Sequence, residues 1–234
     1  MPNQKDKLQM NNIEGILLVN KSINKTSFSL VAALKKLTNT KKIGHAGTLD
    51  PLATGLMILL LGKNYTKKSD RFITFKKEYE AVIELGYTTE TFDSEKEKIF
   101  VSDKIPKISE IEEILKKFSG NIKQIPPMYS AKKINGKKLY ELARKGIEVE
   151  RKEIDIFVEI HIIKYEYPFL HIDVRCSKGT YIRSLANDIG KELGTGGYLY
   201  SLIRTKCGPY NLSDAVDQEL LQSENFDIKK HIKS

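Results

Sequence analysis

Six consecutive apolar residues, Leu56-Met57-Ile58-Leu59-Leu60-Leu61, constrain this chain more than any other stretch. The run is far short of the roughly 20 residues a membrane helix needs, so it reads as an element buried inside a folded core. Directly before it lies Lys42-Ile43-Gly44-His45-Ala46-Gly47-Thr48-Leu49-Asp50-Pro51-Leu52-Ala53-Thr54-Gly55, a short loop holding one acid, Asp50. Pro51 fixes its own φ and drives Asp50 toward extended backbone, while Gly44, Gly47 and Gly55 are expected to admit positive φ or a close backbone neighbour. A carboxylate so constrained, on a buried mount, has the rigidity a catalytic group requires. Asp-Pro is equally an ordinary turn signal, and local chemistry leaves both readings open.

The charge balance adds a partner class. A formal net charge of +9 and a pI near 9.3 favour a polyanion, nucleic acid first, although a lysine-rich composition would produce the same excess. With 40% hydrophobic and 29% charged residues in 234, the chain is ordinary globular material for one substantial core. No apolar run has membrane length, and residues 1–12 are polar without a signal-peptide core, so a cytoplasmic protein without membrane association is expected. Cys176 and Cys207 lie far apart without ligand spacing, which predicts reduced thiols and no metal site. Glycine-rich phosphate loops, dinucleotide fingerprints and internal repeats are absent, so the chemistry is expected to need no cofactor.

In chain order, Gly15 to Lys21 predicts a short buried strand, and Thr26 or Ser27 caps a helix to about Lys36 whose buried side starts at Phe28. Tyr65 to Arg71 predicts a short basic helix. Lys77 to Gly86 alternates as a strand, with Tyr79, Ala81, Ile83 and Leu85 on one face, where Tyr79 alone would pass for a core residue. Ser109 with Glu112 predicts a capping box for a helix buried along Ile111, Ile114, Leu115 and Phe118. Between Pro126 and Lys152 cations dominate: Lys132, Lys133, Lys137, Lys138, Arg144, Lys145 and Arg151, interleaved with Tyr129 and Tyr140. That mixture suits phosphate contact with base stacking, and it also suits a solvated helix around Leu139, Leu142 and Ala143. Two strands, Ile154 to Tyr165 and Pro168 to Arg175, precede a helix with Ile182, Leu185, Ala186, Ile189 and Leu193 on one face, ended by Gly194. Arg183 sits in its first turn, where the helix dipole disfavours a cation, so a carboxylate partner is expected, with Asp50 a candidate. Leu199 to Thr205 is a last apolar segment, and Ser213 predicts a final helix to about Leu221.

Taken together, the segment from Lys42 to Gly55, Lys77-Glu78-Tyr79, Pro126-Pro127-Met128-Tyr129-Ser130-Ala131, Lys178-Gly179-Thr180-Tyr181-Ile182-Arg183 and Leu202-Ile203-Arg204-Thr205 closely resemble the TruB family of bacterial tRNA pseudouridine-55 synthases. The resemblance runs from about Gly15 to Tyr210. It implies an α+β fold: a mixed, largely antiparallel sheet flanked by helices, with residues 126–152 as an inserted basic arm that closes over tRNA. The implied organisation is a polar tail over 1–12, a catalytic domain over 13–212 and a short C-terminal helix and tail over 213–234. It also implies isomerisation of uridine 55 in the T loop, without cofactor or metal, by an enzyme expected to be a monomer. By the same resemblance Asp50 is the reactive carboxylate, Arg183 its charge partner, and Tyr79 the ring stacked on uracil and a possible general base. His45 fills the space the base vacates, Tyr181 and Leu202 shape the pocket, Lys21 supports Tyr79, and Lys132, Lys133, Lys137 and Lys138 hold RNA.

The chain departs from the family pattern in places. Lys-Pro-x-Gly-x-Thr/Ser usually follows the first strand, whereas Lys21 here precedes Ser22, Ile23, Asn24, Lys25 and Thr26. Ile58 stands where many members carry proline. About two dozen residues follow Tyr210, too few for the C-terminal PUA domain of many relatives, which shifts the expected RNA grip to the arm. The competing reading is a non-catalytic RNA-binding or tRNA-folding module on the same scaffold.

Overall fold

The strand Thr54–Leu61 carries the apolar run, and seven of its eight residues are buried. In this computed structural model, which describes residues 13–134, 136–223 and 225–233, it lies between strands on both edges. The polar segment 1–12 lies outside the described residues. Along one edge Gly15–Lys21 pairs antiparallel over its full length, from Gly15 opposite Leu61 to Lys21 opposite Gly55. The other edge is shared: Ile43–His45 pairs antiparallel with Leu59 to Leu61, and Ile203 and Arg204 pair parallel with Thr54 and Gly55. A strand covered on both faces has no position for a polar side chain, which is why the run is unbroken.

The chain forms two compact units, one of Met1–Glu78 with Ile203–Ser234 and one of Tyr79–Leu202. In the first, Ile16, Leu18, Leu56, Ile58, Leu60, Phe72 and Cys207 form a buried cluster. The helix Ser27–Thr38 is capped by Thr26, whose side chain accepts from the Ser29 N–H at 3.1 Å. Its buried stripe is Ser27, Leu30, Val31 and Leu34, which leaves Phe28 outside it and 72% exposed, contrary to expectation. The predicted Tyr65 to Arg71 helix is two short helices, Lys63–Thr66 and Ser69–Ile73. The predicted helix from Ser213 to Leu221 does not form either. Val216 and Asp217 instead pair parallel with Val19 and Asn20, between 3-10 turns at Leu212–Asp214 and Gln218–Gln222, so an open sheet edge outweighs helix propensity there.

In the second unit Gly120–Gln124, Ile154–Glu166 and Phe169–Cys176 are antiparallel neighbours, followed in sheet order by Lys77–Leu85. Tyr79, Ala81, Ile83 and Leu85 are buried as the alternation requires. The helix Ile182–Leu193 buries the predicted stripe and ends at Gly194. The helix Ile108–Lys117 starts earlier than its expected Ser109 cap, because Glu110 rather than Glu112 reaches back and accepts from the Lys107 N–H at 2.8 Å. In the basic segment Lys133–Ile134 and Lys137–Lys138 form a small antiparallel hairpin leading into the helix Leu139–Ala143. The fold is α+β with mostly antiparallel strands, as expected.

Candidate active site

The loop around Asp50 is fastened at nearly every residue. Asp50 is half-buried, and its carbonyl accepts from the Ala53 N–H at 3.1 Å, so Asp-Pro does form a turn. The turn is held from outside by Lys21, which is fully buried and whose Nζ donates to the carbonyls of Lys25 at 2.7 Å, Ser22 at 2.9 Å and Pro51 at 3.3 Å. The Asn24 N–H reaches the same Pro51 carbonyl at 2.8 Å. Asn24 adopts φ 60° at the place of the family's glycine, a left-handed conformation that asparagine tolerates, so the altered sequence still builds this loop. The ammonium of Lys21 thus acts on the backbone next to Asp50.

Two further clamps have no local signature in the sequence. Ser27 Oγ donates to the Leu49 carbonyl at 3.0 Å and accepts from the Leu49 N–H at 2.9 Å, tying the residue before Asp50 to the start of a helix. Arg204, 1% exposed, donates from Nε to the Leu56 carbonyl at 2.6 Å and from Nη2 to the Gly47 carbonyl at 3.3 Å. Gly55 is required where Arg204 crosses: its φ is +100°, and a Cβ there would lie 2.5 Å from the Arg204 carbonyl oxygen. Gly47 also has positive φ, but Gly44 stays in strand backbone, so only two of the three glycines serve the purpose expected of them.

His45 closes the strand before this loop. Its Nδ1 is buried without a hydrogen-bond partner, and burial, reinforced by the Arg204 charge, pushes its pKa below the usual 6.5. The ring is therefore neutral near pH 7.

The second unit holds Tyr79, Tyr181, Arg183, Leu202 and the arm. Tyr79 and Leu202 are each 8% exposed. Tyr181 precedes the helix Ile182–Leu193, and the Gln124 side-chain amide clamps its backbone, donating to its carbonyl at 3.0 Å and accepting from its N–H at 2.8 Å. Arg183 donates to the Asp93 carboxylate at 3.2 Å and to the carbonyls of Tyr129 at 2.9 Å and Thr91 at 3.4 Å. Within its own unit Arg183 is thus paired with Asp93, a residue that nothing in the sequence singles out. Its position is fixed in turn, since Oδ1 accepts from Thr91 Oγ1 at 2.6 Å and from the Glu95 N–H at 3.1 Å. The available signal is an acid in a Thr-x-Asp-x-Glu pattern, which by itself says only turn.

On the arm, Lys133 and Lys137 are exposed, whereas Lys138 donates to the Tyr140 hydroxyl at 3.0 Å and Lys132 is half-buried. Lys133 stands directly opposite Lys138 across the hairpin, a like-charge pairing that disfavours the isolated arm and that an anion would relieve. Among the described residues no group of three or more His, Cys, Asp or Glu side chains is disposed to hold a metal ion.

Comparison with known proteins identifies the family. Residues 35–182 match the model of the TruB family pseudouridylate synthase N-terminal domain, and residues 183–233 match that of the tRNA pseudouridylate synthase B C-terminal domain. The tRNA pseudouridine synthase B of Chlamydia abortus is 50% identical over 220 residues, covering 94% of this chain and 94% of that protein. The protein of the same name from Protochlamydia amoebophila is 51% identical over 205 residues, 88% of this chain and 78% of its own. Among solved structures, a chain of a Cbf5-Nop10-Gar1 complex superposes with a TM-score of 0.71 at 26% identity, over 97% of this chain and 59% of that one. With a family model spanning most of its length and relatives identical at about half of all positions, the chain belongs to the TruB family of pseudouridylate synthases.

Proposed function

We propose that the protein isomerises uridine 55 in the T loop of tRNA to pseudouridine, with Asp50 as the reactive carboxylate. The observation that carries the reading is the fastening of the Asp50 turn by Lys21, Asn24 and Ser27, which confines one acid to one place. The bond from C1′ to N1 of uracil breaks, C1′ joins C5, the C5 proton leaves and N1 gains a proton, so the reaction is redox-neutral and needs no group donor. The base must first leave its stack, at a cost of a few kcal/mol, and His45 takes the vacated space. The Asp50 carboxylate then acts as a nucleophile at C1′ or C6, or promotes elimination toward a glycal. Arg183 supplies the positive charge that an ionised carboxylate at the reacting uridine requires. Tyr79 stacks on the uracil and serves as general base at the sugar, and Tyr181 and Leu202 shape the pocket.

Lys132, Lys133, Lys137 and Lys138 contact the T stem-loop backbone, an assignment supported by three of them lying on one hairpin, with Lys133 directly opposite Lys138. The enzyme acts as a monomer in the cytoplasm. No described helix is long and apolar enough to cross a membrane. The test is mass-spectrometric mapping of pseudouridine in unmodified tRNA before and after incubation with the purified protein. Conversion at position 55 alone is expected, and conversion elsewhere or nowhere would contradict the reading.

A further inference from the structure

The second unit contains a cavity of about 270 Å³ that the assignments above leave unused, between the Glu90 to Phe92 turn and the base of the arm. Its wall includes Glu90, Phe92, Met128, Tyr129, Glu148 and Arg151. The charge pattern is unusual for this chain. Where the arm presents lysines, the cavity presents two carboxylates and one guanidinium, a poor place for a phosphate and a good one for the N–H edge of a base. The rings of Phe92 and Tyr129 add faces on which an unstacked base can lie. The volume is just below the range of drug-sized pockets and suits one planar group.

Internal hydrogen bonds hold part of the wall, while Glu90 and Glu148 stand exposed at its edge. Glu90 Oε1 accepts from the Tyr129 hydroxyl at 2.6 Å, which orients the carboxylate. Phe92 is held at φ 62°, a conformation that a bulky residue rarely adopts, by its N–H on the Thr89 carbonyl and by its own carbonyl accepting from Leu199. Arg151 donates to the Pro126 carbonyl and to Glu148, each at 3.3 Å, while its buried Nε has no hydrogen-bond partner. Arg183 grips both sides, at the Thr91 carbonyl and at the Tyr129 carbonyl. The cavity lining therefore includes the two residues whose carbonyls Arg183 holds.

We infer that this cavity receives a second nucleobase of the substrate RNA, one carrying an exocyclic amine, and that Glu90 accepts a hydrogen bond from that amine. The inference rests on the proposed uridine isomerisation and assigns Glu90 a specificity role within it. A filled cavity fixes the Thr91 and Tyr129 carbonyls and with them the guanidinium, so recognition of one base is coupled to chemistry at another.

The experiment is a cycle on T-arm RNAs in which each amine-bearing loop base is replaced, one at a time, by its amine-free analogue: inosine, zebularine or nebularine. For the wild type, one such replacement is expected to lower kcat/KM for pseudouridine formation about 10-fold, the discrimination of one good base contact. Glu90→Gln, which keeps an oxygen for Tyr129 but turns an NH2 toward the ligand, should lower kcat/KM on the unsubstituted RNA by a similar factor. It should lose nothing more on the analogue. Additive losses, or a wild type indifferent to every replacement, would overturn the inference. If no RNA were converted, the isomerisation itself would fall, and Kd values for the same RNAs would decide the cavity separately. Equal Kd for substituted and unsubstituted RNA would overturn the inference on that arm.

Discussion

Arg183 and Asp93 form an ion pair at 3.2 Å with side chains only 6% and 2% exposed, inside a unit whose loops both residues organise. Neutralising Asp93 takes a buried charge partner away from Arg183, at a cost of about 3 to 5 kcal/mol. Asp93 is assigned to the proposed reaction only through Arg183, which makes it a positioning residue. Asp93→Asn is predicted to lower kcat at least ~10-fold, equivalent to about 1.4 kcal/mol, with little change in KM for tRNA. Thermal denaturation of the same variant should show a lower Tm. A stable variant with unaltered kcat would show that Arg183 does not depend on Asp93.

Lys21→Met tests the loop support. It removes the ammonium from the carbonyls of Ser22, Lys25 and Pro51, at about 1 to 3 kcal/mol for buried acceptors left unmatched. The predicted signature is a lower chemical-denaturation midpoint together with a slower single-turnover rate, since the Asp50 turn loosens. Loss of stability with an unchanged single-turnover rate would confine Lys21 to the fold.

What the sequence discloses and what it hides divide along a physical line. The apolar run, the alternation from Tyr79 to Leu85 and the stripe from Ile182 to Leu193 are legible because periodicity reports burial directly. The anchoring of Asp50 is legible only as a motif. Its bonds come from Lys21, Ser27 and Arg204, and pairings between residues so far apart leave no local spacing to read. The Ser213 helix fails for a related reason, as an open strand edge beside Val19 is invisible in the residues around Val216. The helix dipole marks Arg183 as needing an acid, and within its own unit the fold supplies Asp93, which no local spacing announces.

His45 predicts a pH dependence. Its folded pKa lies below the ordinary value of 6.5, chiefly from burial and then from Arg204, so the unfolded chain binds the proton more readily. Stability should therefore rise with pH through the window between the lowered pKa and 6.5, and fall as the solution is acidified through it. Urea unfolding across that range, for wild type and His45→Gln, checks the sign. The variant should lose part of the slope, and an unchanged slope would assign the dependence to other groups.

The arm makes an electrostatic prediction. Lys133 and Lys137 are its exposed hairpin lysines, and replacing both by alanine should reduce the slope of log K against log salt by about 0.7 to 0.9 for each phosphate no longer neutralised. KM for tRNA should rise with kcat at saturation nearly unchanged, because such charges hold substrate and transition state alike. Identical salt slopes for wild type and variant would return these lysines to solvent and direct attention to Lys63, Lys67, Lys68 and Arg71.

The central claim is that one carboxylate, fixed by the turn at Pro51, performs the isomerisation. Asp50→Asn keeps the size of the side chain and the turn while removing the charge and the nucleophile. The decisive measurement is pseudouridine at position 55, quantified by mass spectrometry in tRNA incubated with this variant, alongside the Kd for the same tRNA. The account predicts no pseudouridine above background with Kd within a few fold of wild type. Substantial conversion by Asp50→Asn would contradict it.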